Sequence, residues 1–171
     1  MKKLFFMAVA AFMVSAGATN AQSLKFGHID TGKLLQAMPD RLDAQTQLEK
    51  HAKMYEDQML AMQNEFEKKY QEYQEQAETL TPVIRESKER ELAEIQQRFQ
   101  TFRQTAQQDI SNKEGELMQP IIDKAKKAID DVSVENGFTY VFDISTGSLV
   151  YYNESQSVDI LPLVFAKLGI K

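Results

Sequence analysis

Few residues in this chain have the types and spacing for chemistry, and those few lack the partners that chemistry needs. The chain has two histidines, His28 and His51. Neither has a second histidine or a cysteine at ligand spacing, so a structural or surface role outweighs metal binding for each. The absence of cysteine rules out disulfide staples and thiol chemistry. No Gly-rich phosphate loop, His-Glu-x-x-His or Gly-x-Ser-x-Gly pattern occurs. Carboxylates are plentiful but alternate with cations, as in Glu67-Lys68-Lys69 and Arg85-Glu86-Ser87-Lys88-Glu89-Arg90-Glu91, which reads as solvated helix surface. Paired catalytic carboxylates need a pocket that shifts their titration. We therefore expect no catalytic residue, no cofactor site and no metal site, and the chain does not read as an enzyme. Lys124, Lys126 and Lys127 form a small basic cluster. It reads first as a solvated face and second as a peripheral contact with a membrane or lipid headgroup.

The remaining candidates are soft and apolar: Met54, Met59, Met62, Phe66, Tyr70, Val83 and Phe99. Thioethers and aromatic rings adapt to irregular partners, so such a set can serve as a tolerant binding surface. The competing reading is that Met59, Met62, Phe66 and Phe99, with Phe102, pack a seam between two helices. Met54 projects off that seam, and Val83 sits at its far end.

The elements that would carry these residues follow from periodicity. Ala52, Met59, Phe66, Tyr73 and Leu80 recur every seven residues, with Leu48, Tyr55 and Met62 as a second string that fails at Lys69, where Tyr70 takes over. At helical pitch these side chains fall within roughly 80° of one another, which makes a seam and not a broad core face. A first long helix is expected over 40–80, spanning about 60 Å. Thr81 then reads as an N-cap and Pro82 as a first-turn proline, whose missing N–H costs nothing there. The second helix carries Ile84, Leu92, Ile95, Phe99, Phe102, Ala106 and Ile110. A hairpin folding at 81–82 sets Phe66 near Ile95, Met62 near Phe99 and Met59 near Phe102. Gly115 is a candidate breaker, and Pro120 should kink or weaken the helix it lies in.

Below Gly115 the apolar face doubles. Met118, Ile122, Ala125 and Ile129 lie beside Leu117, Ile121, Ala128 and Val132, so this base helix must be covered on two sides. Phe26-Gly27-His28-Ile29 reads as a strand, followed by a short helix with Leu34, Leu35 and Met38. Phe138–Asp143 and Ser148–Asn153 read as two strands of a hairpin, and a last helix is expected from about Ser157 to Leu168. So few short strands cannot make a core alone, which points to oligomerisation. The candidate interface residues are Phe26, Ile121, Ile122, Ile129, Val141 and Val150.

The fold class expected is α+β, mostly α: a long antiparallel coiled-coil hairpin, residues 40–115, projecting from a small β-containing oligomerisation body, residues 22–39 and 116–171. Residues 1–21 read as a signal peptide, with Lys2 and Lys3, an apolar run and Ala21 or Ala18 as cleavage points. An acidic chain, with a formal net charge of −5, is a poor candidate for nucleic acid.

The arrangement resembles the Skp/OmpH family of periplasmic chaperones. The residues that carry the likeness are Phe26-Gly27-His28-Ile29-Asp30 with Gly32-Lys33-Leu34-Leu35, then Pro120-Ile121-Ile122-Asp123-Lys124-Ala125, and finally Tyr140-Val141-Phe142-Asp143, Val150-Tyr151-Tyr152-Asn153 and Val158-Asp159-Ile160. The resemblance implies a homotrimer whose three helical arms enclose a cavity. It implies an ATP-independent holdase for unfolded outer-membrane β-barrel proteins in the periplasm. Well-known members carry strongly basic arms and this chain is acidic. No lipopolysaccharide site carries over. The alternative reading is a structural or adaptor coiled coil of the envelope that binds one folded partner.

Overall fold

The computed structural model describes residues 24–170; the expected signal peptide, residues 1–21, lies outside them. Strand β1, Phe26–Ile29, is followed by Asp30, whose carboxylate accepts from Lys33 N at 2.9 Å and caps helix α1, Thr31–Ala37. Pro39 does not merely end α1. It opens helix α2, Pro39–Gln76, at its first turn, where a missing N–H is harmless.

Helix α3, Pro82–Glu135, begins as the sequence predicts, with Thr81 at the cap position, although its side chain makes no capping bond. The tip between the helices is closed by Arg85, which donates to the carbonyl of Ala77 at 2.6 Å. Helix α3 runs through both expected weak points. Gly115 and Pro120 lie inside it, and both are exposed along with Glu116, so water can take the bond that Pro120 leaves unmade. It ends at Asn136 and Gly137. Gly137 adopts φ +68°, and the Phe138 N–H reaches back to the carbonyl of Ser133 at 3.0 Å.

The sheet differs from expectation. Strand β2 is Tyr140–Asp143, but Ser148–Asn153 forms no strand, and no hairpin joins the two. The third strand, β3, is Ser157–Asp159, residues expected to begin the last helix. That helix, α4, starts later, at Leu161–Leu168. The strand order is β2-β1-β3, and both neighbours run parallel to β1. Parallel pairing needs long connections, and both are present: the whole hairpin separates β1 from β2, and a loop separates β2 from β3.

One face of this sheet packs on the protein. Ile29, Leu34, Met38, Ala44, Ile160 and Val164 form a core with Ile121, Ala125, Ala128 and Val132 of α3. The last four recur at helical spacing, so one stripe of α3 is the floor of the body. Two alanines in that stripe let the sheet and α4 approach closely. The doubled apolar face read from the sequence divides here. Ile121 and Ala125 are buried inside the chain, Met118 and Ile129 are half-buried against the same core, and Ile122 is half-buried without joining it.

The closeness of this packing is testable at two glycines. A Cβ on Gly27 would lie 3.1 Å from Ile160 Cγ2 and 3.1 Å from Phe138 Cδ1. Gly27→Ala should destabilise the protein by about 1–3 kcal/mol. Gly115 has nothing within 4 Å of that position, so Gly115→Ala should stabilise it by about 0.5–1 kcal/mol. Urea unfolding reads both, and equal midpoints would contradict the packing.

Candidate functional site

The arm is held by a narrow seam, and its register is set by side chains that reach across it. Tyr55 donates to Asp109 at 2.7 Å, and His51 Nε2 lies 2.5 Å from the same carboxylate oxygen. Tyr55 also meets Phe102 edge-on, with ring centroids 5.7 Å apart. Further out, Arg98 donates to Glu65 at 2.7 Å, Lys69 pairs with Glu91, and Tyr73 donates to Glu89 at 2.6 Å. Near the body, Lys124 reaches Asp40 at 2.6 Å. Buried apolar contact between the helices is sparse: along the outer arm only Met62, Ile95 and Ala106 are buried.

Direct hydrogen bonds dominate the titration of these cross-links. The bond from Tyr55, followed by the His51 contact, holds Asp109 below the ordinary carboxylate range. The same bond pushes Tyr55 up, and Glu89 does likewise to Tyr73. Lys69 is raised by Glu91, and Glu91 is lowered by Lys69.

Between these bridges the helices leave an opening. A groove of about 640 Å³ lies between α2 and α3. Met62, Phe66, Ile95 and Phe99 form its floor, and Gln63, Gln96, Gln97 and Gln100 form its polar rim. The structure thus brings together three of the sequence candidates, Met62, Phe66 and Phe99. Tyr70 stacks on Phe66 with centroids 5.9 Å apart and remains 42% exposed. Met59 is half-buried on the same helix. Met54 and Val83 stand outside the groove and are exposed. Sequence reasoning passed over the glutamines. Their signal was a stretch of α3 over 95–108 whose only charged residues are Arg98 and Arg103.

A second apolar surface lies on the body. The outer face of the sheet carries Phe26, stacked on Tyr140 and Phe142 at 6.3 and 6.4 Å. Beside them His28 Nδ1 lies 2.9 Å from Ser157 Oγ, with Tyr152 packed over the imidazole. Val150 is 97% exposed, and Tyr140 and Tyr151 are also exposed. Of the interface candidates, Phe26 lies on this outer face, Val150 stands exposed in the loop between β2 and β3, Val141 and Ile129 pack against the core, Ile121 is inside it, and Ile122 is half-buried. In the basic cluster, Lys124 and Lys127 are each matched by a carboxylate, Asp40 and Asp131. Among the described residues no group of three or more His, Asp or Glu side chains could hold a metal ion. No helix among them is long and apolar enough to cross a membrane.

Residues 25–168 match the family model described as outer membrane protein, OmpH-like. The chain is 28% identical over 145 residues to the chaperone protein Skp of Photorhabdus luminescens, covering 84% of this chain and 87% of that one. It is 21% identical over 162 residues to the chaperone protein Skp of Yersinia enterocolitica, covering 95% of this chain and 99% of that one.

The cross-links give the arm a defined pH window. A lowered Asp109 and Glu91 stabilise the fold above the unfolded carboxylate value of about 4, and this is lost as pH falls through their lower folded values. A raised Tyr55 and Tyr73 stabilise it below about 10, and this is lost as pH climbs through their higher folded values. The helical melting midpoint should therefore fall at both extremes. Asp109→Asn should flatten the acid side of that profile, and an unchanged acid limb would contradict the role given to Asp109.

Proposed function

Because the chain belongs to the family of OmpH-like outer membrane proteins, we propose that it is an ATP-independent holdase chaperone. It acts in the periplasm, reached through a cleavable leader over residues 1–21, and binds unfolded outer-membrane β-barrel proteins. The observation that carries this reading is the arm itself. It is a long, thin hairpin that spends most of its apolar area on its own seam. It offers clients one shallow soft groove and scattered exposed groups such as Met54, Tyr70 and Val83.

Surfaces of this kind bind weakly one at a time. Several of them held around one client give useful avidity while still permitting release without a nucleotide. The body supplies the multiplicity. We propose that three copies assemble through the apolar outer region of the sheet, around Phe26, Tyr140, Phe142 and Val150, with Ile122 and Ile129 adding the second side of the base helix. Exposed aromatic groups grouped in this way mark an interaction site. The two matched lysines of the basic cluster leave little charge for a lipid headgroup, so lipid contact is secondary to self-assembly. The relatives named chaperone support the same role.

Two measurements test this. The purified mature protein should suppress aggregation of a β-barrel protein diluted from urea, near one client per oligomer. A well-folded sample that leaves aggregation unchanged would overturn the holdase reading, and a single stoichiometric folded partner from envelope extract would favour the adaptor reading. For the assembly, Val150→Asp or Ile122→Asp should dissociate the oligomer by placing an unpaired charge in the contact. Variants that keep the parent mass by light scattering would refute this placement.

A further inference from the structure

The groove between α2 and α3 differs in character from the helix surface around it. Charged residues make up 26% of the sequence, yet none lines this groove. Two ion pairs flank it, Glu65 with Arg98 and Lys69 with Glu91. The floor is aromatic and sulfur-bearing, with Phe66 and Phe99 half-buried and therefore within reach of a ligand. Its polar lining is entirely amide, with Ala93 the one other exposed residue on it. Among the described residues the side chains of Gln63, Gln96 and Gln100 make no hydrogen bond, and that of Gln97 makes only a long one, 3.5 Å to Thr101.

The glutamine stripe continues beyond the groove, now with a cation in it. Arg103, Gln104, Gln107, Gln108 and Ser111 line a second depression of about 620 Å³ farther along α3 toward the body. From Gln96 to Gln108 the helix rises about 18 Å, the length of five or six residues of extended chain.

We infer that this groove is a subsite for an uncharged, extended segment of unfolded polypeptide, which lays alternate apolar side chains on Met62, Phe66 and Phe99 while the glutamines bond its backbone. The inference rests on the holdase reading and names the kind of client segment that one arm takes. An extended strand presents N–H and C=O groups at regular intervals, and a primary amide is both donor and acceptor, so a glutamine rim can satisfy either. A charged segment gains no counter-charge in the groove and must be desolvated at a cost. An acyl chain would fill the floor but leave the rim amides without partners. A second copy of this chain would need roughly 800 Å² per partner for a stable contact, far more than a groove of this size offers.

This assigns a division of labour on the arm. Mixed charges on the remaining faces meet charged stretches of a client in a salt-dependent way, and the groove grips neutral stretches independently of salt. Alternating apolar and polar residues without charge are the pattern of a membrane-spanning β-strand.

The test uses the whole mature protein and fluorescence anisotropy. The probe is a labelled peptide of about eight residues, alternating Val and Thr around one Tyr, which covers the groove at roughly 3.3 Å per residue. It should bind saturably, with an affinity that does not change between low and high salt. The same peptide carrying two lysines should bind at least about tenfold more weakly, and Gln97→Glu with Gln100→Glu should weaken the neutral peptide by a similar factor. Both positions are exposed, so helicity by circular dichroism should be unchanged. Gln97→Asn with Gln100→Asn keeps the amides and should retain most of the binding. Equal affinity of the glutamate variant, strong salt dependence, or displacement of the peptide by neutral phosphatidylcholine vesicles would each overturn the inference. If the protein still protects an unfolded barrel while failing to bind the peptide, the subsite falls and the holdase reading stands. If it protects no barrel client, the holdase reading falls and the subsite with it.

Discussion

The structure depends on one helix belonging to two parts of the molecule. The lower third of α3 gives Ile121, Ala125, Ala128 and Val132 to the core of the body. The same helix continues without interruption to the tip of the arm at Pro82. Burial of that stripe against the sheet and α4 therefore fixes the direction in which the arm leaves. The arm has no comparable core of its own. Its helices meet along a line of isolated buried residues, and polar bridges such as Tyr55–Asp109 and Arg98–Glu65 choose the register that a thin apolar seam leaves weakly specified.

That imbalance has a functional consequence. Apolar area concentrated in the body favours permanent contacts, within the chain and between copies. Apolar area on the arm is dilute, which suits temporary ones. A client that met a broad hydrophobic face would bind tightly and leave slowly. One that meets a shallow groove with an amide rim, plus a few exposed methionine and aromatic groups, binds through many small contributions.

The hairpin was legible in the sequence because its signals are local. The stripe from Ala52 to Tyr73 and the Thr81-Pro82 start each depend on residues within a turn or two of one another, whereas Leu80, expected to continue the stripe, lies in the turn beyond Gln76. The residues expected to meet across the seam, Met62, Phe66, Ile95 and Phe99, do share one groove. The sheet was not legible. Val150-Tyr151-Tyr152 has high strand propensity, but propensity names no pairing partner. The edge of β1 that was open to it is taken by Ser157–Asp159, a segment whose short polar start gave no strand signal. Pro120 misled for a related reason. A proline interrupts a helix strongly only where the lost bond cannot be replaced, and here the position faces solvent. The glutamine rim went unread because a residue without charge or bulk looks like filler until its neighbours in space are known.

Hydrogen exchange of the assembled protein, with and without an unfolded barrel client, tests the account most directly. Client binding should slow exchange in the arm around 62–70 and 95–108 and leave the body helix at 121–132 unchanged. Slowed exchange confined to the strands and the loop at 144–156, with no change along the arm, would contradict it.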